Sequence, residues 1–92
     1  MIIETLFNSL LESLTINLTK KGHSIKSSAI AGSAQEPSLE ITLNDNSEIT
    51  VHCYKERPAY YNYVCSVVRK NREVQYQSNI LTQLQIFIQR QF

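Results

Sequence analysis

A chain of 92 residues, 42% hydrophobic and 18% charged with a net charge of +1, has the size and composition of one small globular domain spanning 1–92. That balance excludes a disordered polyelectrolyte, and no apolar run approaches the ~20 residues that span a bilayer. The opening Met1-Ile2-Ile3-Glu4 carries no basic leader, so no signal peptide and a cytoplasmic location are expected.

Ile3, Leu6, Phe7, Leu10, Leu14 and Leu18 recur at helical spacing and predict an amphipathic helix over residues 2–19. Lys20-Lys21-Gly22 supplies its stop, two cations at the negative end of the dipole and then a glycine able to turn left-handed. Residues 23–32 alternate only weakly and read as a strand of uncertain core face. Residues 32–37 read as a loop, because Pro37 has no amide for a ladder. Leu39, Ile41 and Leu43 then alternate with Glu40 and Thr42. After the turn-forming Asn44-Asp45-Asn46-Ser47, Ile49, Val51 and Cys53 resume the pattern, which predicts a hairpin.

Residues 55–59 are expected to form the next connection, anchored by Pro58. Tyr60 to Val68, rich in Tyr and Val, reads as a strand, and Arg69-Lys70-Asn71-Arg72 as a polar turn. A short strand follows with Val74 and Tyr76 on one face. Ser78 or Asn79 is the expected cap of a last helix whose stripe is Ile80, Leu81, Leu84, Phe87 and Ile88. The fold class is therefore α+β: a helix, a four- or five-stranded antiparallel meander and a second helix, both helices on one sheet face. The other face stays wet, which suits Thr50, His52, Tyr54 and one or other of Tyr60 and Asn62, the face of Tyr60 being left open by the pattern.

Few residues carry candidate chemistry. A hairpin centred on Ala59 would pair residues whose numbers sum to 118, placing Cys53 opposite Cys65 on the core face as reduced thiols. His52 points to the opposite face from Cys53 and cannot serve either thiol as a base. His23, after the helix-ending glycine, is expected to be solvated. The histidines and cysteines match no zinc spacing, and two glycines cannot build a phosphate loop, so neither a metal, a cofactor nor an enzymatic activity is expected.

Charge is the remaining signal. Residues 1–53 set Lys20, Lys21 and Lys26 against Glu4, Glu12, Glu36, Glu40, Asp45 and Glu48, a net of −3. Residues 54–72 set Lys55, Arg57, Arg69, Lys70 and Arg72 against Glu56, a net of +4, and hold four of the five tyrosines. Arg57 and the Arg69–Arg72 turn fall at opposite ends of one strand, about 30 Å apart at 3.3 Å per residue, which favours two small basic patches over one. A softer signal is the run of amides at Gln75, Gln77, Gln83, Gln85, Gln89 and Gln91.

Small helix-sheet-helix chains of this kind are similar in size and layout, though in no motif, to anti-CRISPR and toxin-immunity proteins. That likeness implies a non-enzymatic protein-binding module, an inhibitor or adaptor of a larger partner. The expected partner surface is acidic and is met by Arg57, Tyr60, Arg69, Lys70 and Arg72, the tyrosine as anchor and the arginines as forks for carboxylates. The alternative is a nucleic-acid binder using segment 54–72, with phosphates on the cations and a base on a tyrosine. Membrane binding is not expected, and Phe92 offers either a buried end or a homodimer contact.

Overall fold

The computed structural model describes residues 2–33, 35–57 and 60–92, without the side chains of Ile2, Lys55, Glu56, Arg57 and Tyr60. The elements run α1 (Ile2–Lys20), β1 (Ile25–Gly32), β2 (Pro37–Leu43), β3 (Glu48–Arg57), β4 (Tyr60–Arg69), β5 (Arg72–Ser78) and α2 (Leu81–Arg90). Each strand pairs antiparallel with the next, giving one five-stranded open meander. α1 packs over β1 and β2, and α2 over β4 and β5, so both helices cover the same sheet face.

The core follows from the two periodicities. Ile3, Phe7, Leu10, Leu14 and Leu18 descend from α1, and Leu84 and Ile88 from α2. They meet Leu39, Ile41, Leu43, Ile49, Val51, Cys53, Tyr63, Cys65 and Val67 from the alternate positions of β2, β3 and β4. α1 ends as its sequence predicts. Gly22 takes φ +88°, its amide donates to Thr19 O, and the His23 amide donates to Leu18 O at 2.8 Å, the two bonds of a Schellman turn. In the next hairpin the Asp45 carboxylate accepts from the Ser47 amide at 2.9 Å while Asn46 sits at φ +68°.

Several expectations are corrected. Pro37 is not in the loop but opens β2, where it faces Gly32. A proline tolerates the first position of a strand, where its missing amide costs little. Residues 55–57 belong to β3 rather than to a connection, because the ladder continues through Lys55↔Tyr61 and, after a bulge, Arg57↔Tyr60. The expected turn centre at Pro58 and Ala59 lies outside the described residues. The β3–β4 register pairs numbers that sum to 116 rather than 118, so Cys53 faces Tyr63 and Cys65 faces Val51. A slip of two residues preserves the face, so both cysteines remain in the core. The two lie diagonally across the ladder, at the ~7–8 Å expected of such neighbours and beyond easy disulfide reach.

At α2 the N-cap position is Ile80, 48% exposed and without a side-chain cap. Ser78 acts two residues earlier: its Oγ accepts from the Ile80 amide at 3.0 Å and donates to Gln83 Oε1 at 2.8 Å. Ile80 therefore drops out of the buried stripe. His23 is half-buried, edge-on to Phe92 with ring centroids 5.1 Å apart, rather than solvated.

Candidate functional site: the β4–β5 turn

The five residues singled out from charge and aromaticity do not converge. Arg57 and Tyr60 face each other at one end of the β3–β4 ladder, and their side chains lie outside the described residues. Arg69, Lys70 and Arg72 surround the turn at the other end of β4, nine steps or about 30 Å away. The interleaving of cations with tyrosines also dissolves in three dimensions. Tyr61 and Tyr63 occupy helix-face positions of β4, Tyr61 packed against the core and Tyr63 inside it, tilted against Phe7 with centroids 6.3 Å apart. Tyr54 lies on the opposite, helix-free face, where its hydroxyl accepts from Gln77 Nε2 at 2.6 Å.

That helix-free face is largely polar. Ser38 Oγ and His52 Nδ1 lie 3.0 Å apart, and Ser66 Oγ donates to Glu73 Oε1 at 2.7 Å. His52 packs near Tyr54 with centroids 6.5 Å apart. Asn62, expected on the wet face, is only 9% exposed there. Thus His52 stands on the far side of the sheet from both thiols, as strand parity requires.

The β4–β5 turn is a two-residue connection between the paired Arg69 and Arg72. Lys70 at φ +50° and Asn71 at φ +64° give both central residues the left-handed conformation of a type I′ turn, whose twist matches the flanking strands. Asn tolerates that region, whereas Lys does so at a cost, and the geometry holds the Lys70 ammonium in solvent at the tip. On the helix side of the turn a groove of about 320 Å³ is lined by Val67, Arg69, Lys70, Arg72, Val74 and Gln91. Its floor is the Val67↔Val74 pair and its cationic rim includes the Arg69↔Arg72 pair two residues along the ladder.

The three cations of this rim differ in role. Arg69 is 31% exposed along its side chain and turns inward. One terminal nitrogen donates to the Gln91 carbonyl, the guanidinium carbon lies 4.4 Å from the centre of the Phe92 ring, and the other terminal nitrogen is 3.9 Å from Asp45. Lys21 assists from the end of α1, donating to the Gln89 carbonyl at 2.6 Å. Two cations thus meet carbonyls at the negative end of α2, the end where positive charge stabilises a helix. The Ser47 amide and hydroxyl hold the Asp45 carboxyl below the usual range, with Arg69 and His23 contributing less. Lys70 and Arg72, by contrast, are exposed.

Sequence reasoning missed the structural duty of Arg69, because its partners lie more than twenty residues away in either direction. The apolar floor of the groove was only partly visible, in the short strand that sets Val74 and Tyr76 on one face.

Both cysteines are free and fully buried. Burial pushes the Cys65 thiol up to about 12 from an ordinary 9.0. Burial, and then the charge of Glu36, pushes Cys53 up as well. Neither thiol has thiolate character at neutral pH. Replacing both with valine is expected to leave binding intact and to cost about 1–2 kcal/mol of stability.

Cys65 also predicts an alkaline weakness. Above about pH 9 the unfolded chain releases its Cys65 proton while the folded chain retains it, so stability falls as pH rises from 9 towards 12. The maximum slope from this one thiol is about 1.4 kcal/mol per pH unit. Denaturation of wild type and Cys65→Val between pH 8 and 11 checks this. Parallel losses in the two proteins would show that the thiol is not the cause.

Compared with family models, with curated proteins and with solved structures, the chain matches none. What the fold and the site define is an α+β domain with a five-stranded antiparallel meander, two helices on one face and a cationic groove at one strand turn. Among the described residues no three metal-ligating side chains gather, and no helix is long and apolar enough to cross a membrane.

Proposed function

We propose that this chain is a non-enzymatic protein-binding module, an inhibitor or adaptor that engages an acidic surface of a larger partner at the β4–β5 turn. The observation that supports it is the groove itself, which joins an apolar floor at Val67 and Val74 to the exposed cations Lys70 and Arg72. Such a pairing suits a carboxylate on an apolar stem, since the floor buries the stem and the Arg72 fork meets the carboxylate. Arg57 and Tyr60 would belong to a second contact at the far end of β4, within reach of a partner spanning the sheet.

The nucleic-acid alternative has less support. Inward use of Arg69 leaves Lys70 and Arg72 as the exposed cations of this turn, and Tyr61 and Tyr63 are packed at or in the core rather than free to stack.

The test is a salt series on the partner recovered from host cells, with wild type and the Lys70→Glu/Arg72→Glu double variant. Both side chains are exposed, so each reversal should change stability by no more than about 0.5 kcal/mol. Loss of a central charged anchor should weaken binding by about thirtyfold. A shallow salt dependence is expected of a protein interface. A slope near −0.9 per phosphate, with nuclease-sensitive binding, would favour nucleic acid instead. Binding indifferent to both reversal and salt would remove the groove from the function.

A further inference from the structure

The two edges of the open sheet are protected unequally. An edge strand presents unpaired amides and carbonyls, and proteins blunt such edges with charges, bulges or covering elements. β5 carries Arg72, Glu73, Gln75 and Gln77 along its length. β1 has no charged side chain from Ser27 to Gly32. Its one bulge lies between Ile25 and Ser27, so the rest of the ladder is regular.

The helix layer is also unfinished above this edge. A groove between the helices is lined by Leu6, Ser9, Leu10 and Ser13 of α1 with Leu81, Thr82 and Gln85 of α2. At 100° per residue, Asn8, Leu11 and Thr15 therefore occupy the opposite flank of α1, on the side of β1. Leu11 is partly buried, and Ile30, which faces Leu39 across the ladder, is still 37% exposed.

We infer that β1 is a self-association edge, on which a second copy of this chain pairs β1 to β1, antiparallel about a two-fold axis at Ala29. The two sheets then continue as one. Antiparallel pairing of a strand with itself is isologous and closes at two copies. In this register Ala29 meets Ala29, Ser27 meets Ala31 and Ser28 meets Ile30, so the seam carries small or apolar side chains and no like charges.

Electrostatics and spacing agree with that occupant. Lys26 lies at one end of β1, and Glu36 flanks the other end, just before the Pro37 that faces Gly32. An antiparallel second copy brings the Lys26 end of one chain beside the Glu36 end of the other. The short connection between Lys20 and Ile25 makes α1 run opposite to β1, so the α1 helices of the two copies run antiparallel to each other across the seam. Strands sit ~4.8 Å apart and α1 rides over β1 and β2, which brings the two α1 axes to roughly 10 Å, the separation of packed helices. The Leu11 flanks then close over both Ile30 side chains.

The experiment is sedimentation velocity on the full chain across concentration, with Ala29→Lys and Ala29→Glu. Ala29 faces Glu40 on β2, so a lysine there gains an opposite charge within its own sheet and the fold should persist by circular dichroism. Two lysines at the two-fold axis face each other, and Ala29→Lys should associate about tenfold more weakly or not at all. An equal mixture with Ala29→Glu should restore a heterodimer. In wild type, outward amides of Ser27–Gly32 should exchange slowly in concentrated solution and quickly on dilution. A wild-type monomer at every concentration would overturn the inference. So would a dimer that survives Ala29→Lys with β1 amides unprotected, or protection that develops only when a different protein is added. None of these outcomes bears on the β4–β5 groove, which lies at the other edge of the sheet.

Discussion

Leu10→Ala and Leu84→Ala are each expected to lower the unfolding free energy by about 2–5 kcal/mol, the range for truncating a buried leucine. Leu84 is fully buried and Leu10 is 4% exposed. They sit on different helices over different halves of the sheet, α1 on β1 and β2, α2 on β4 and β5. Neither helix can move to refill the space, because each is anchored at its neighbours: α1 by Phe7, Leu14 and Leu18, α2 by Ile88. A domain of this size has a total stability of about 5–15 kcal/mol, so either truncation removes a large share of it. Denaturant midpoints followed by circular dichroism check both variants. An unchanged midpoint in either would mean that the helix presents another face to the sheet.

Those two leucines were legible because burial imposes a period on the chain. The 3.6-residue stripe of α1, the alternation of β2 and β3 and the Gly22 stop all follow from local rules, and each is present in the structure, except that Leu6 falls at the edge of the stripe and stays 37% exposed. Where the reading failed, a nonlocal choice intervened. Pro58 suggested a connection from residue 55, yet cross-strand pairing extends β3 to Arg57 past a one-residue bulge, and the ladder before that bulge settles two residues from the expected register. No local pattern could fix that register, since a slip of two keeps every side chain on its face. β1 read weakly for a physical reason as well: an edge strand under half a helix layer needs no regular apolar alternation.

The charge split was legible as a count but not as a site. Summed charge treats Arg69, Lys70 and Arg72 alike, whereas folding consumes the first and leaves the other two exposed. The tyrosines tell the same story, since strand propensity and aromatic recognition use the same residue. Tyr61 and Tyr63 went to the helix face with the core.

The consequence for Arg69 is the second large effect. Arg69→Ala should cost about 2 kcal/mol, while Arg72→Ala stays within about 0.5 kcal/mol. The Arg69 guanidinium donates to the Gln91 carbonyl, and a hydrogen bond from a charged group contributes about 1.5–3 kcal/mol. Its position 4.4 Å from the centre of the Phe92 ring adds about 0.5–1 kcal/mol at a partly exposed site. The 3.9 Å approach to Asp45, with both groups partly in solvent, adds little. Against these stands Nε of Arg69, among the described residues the one buried side-chain polar atom without a hydrogen bond, whose removal returns part of the loss. The balance still favours the arginine, because the bond it makes closes the negative end of α2 and holds Phe92 against His23. Hydrogen exchange localises the effect: amides of residues 89–92 should exchange faster in Arg69→Ala, and those of β2 and β3 should not. Lysine at 69 should recover little, since an ammonium cannot both donate to Gln91 and lie flat on the ring. Equal stability of Arg69→Ala and Arg72→Ala would mean that all three cations of the turn are free, and that Arg69 belongs with Lys70 and Arg72 in the binding surface.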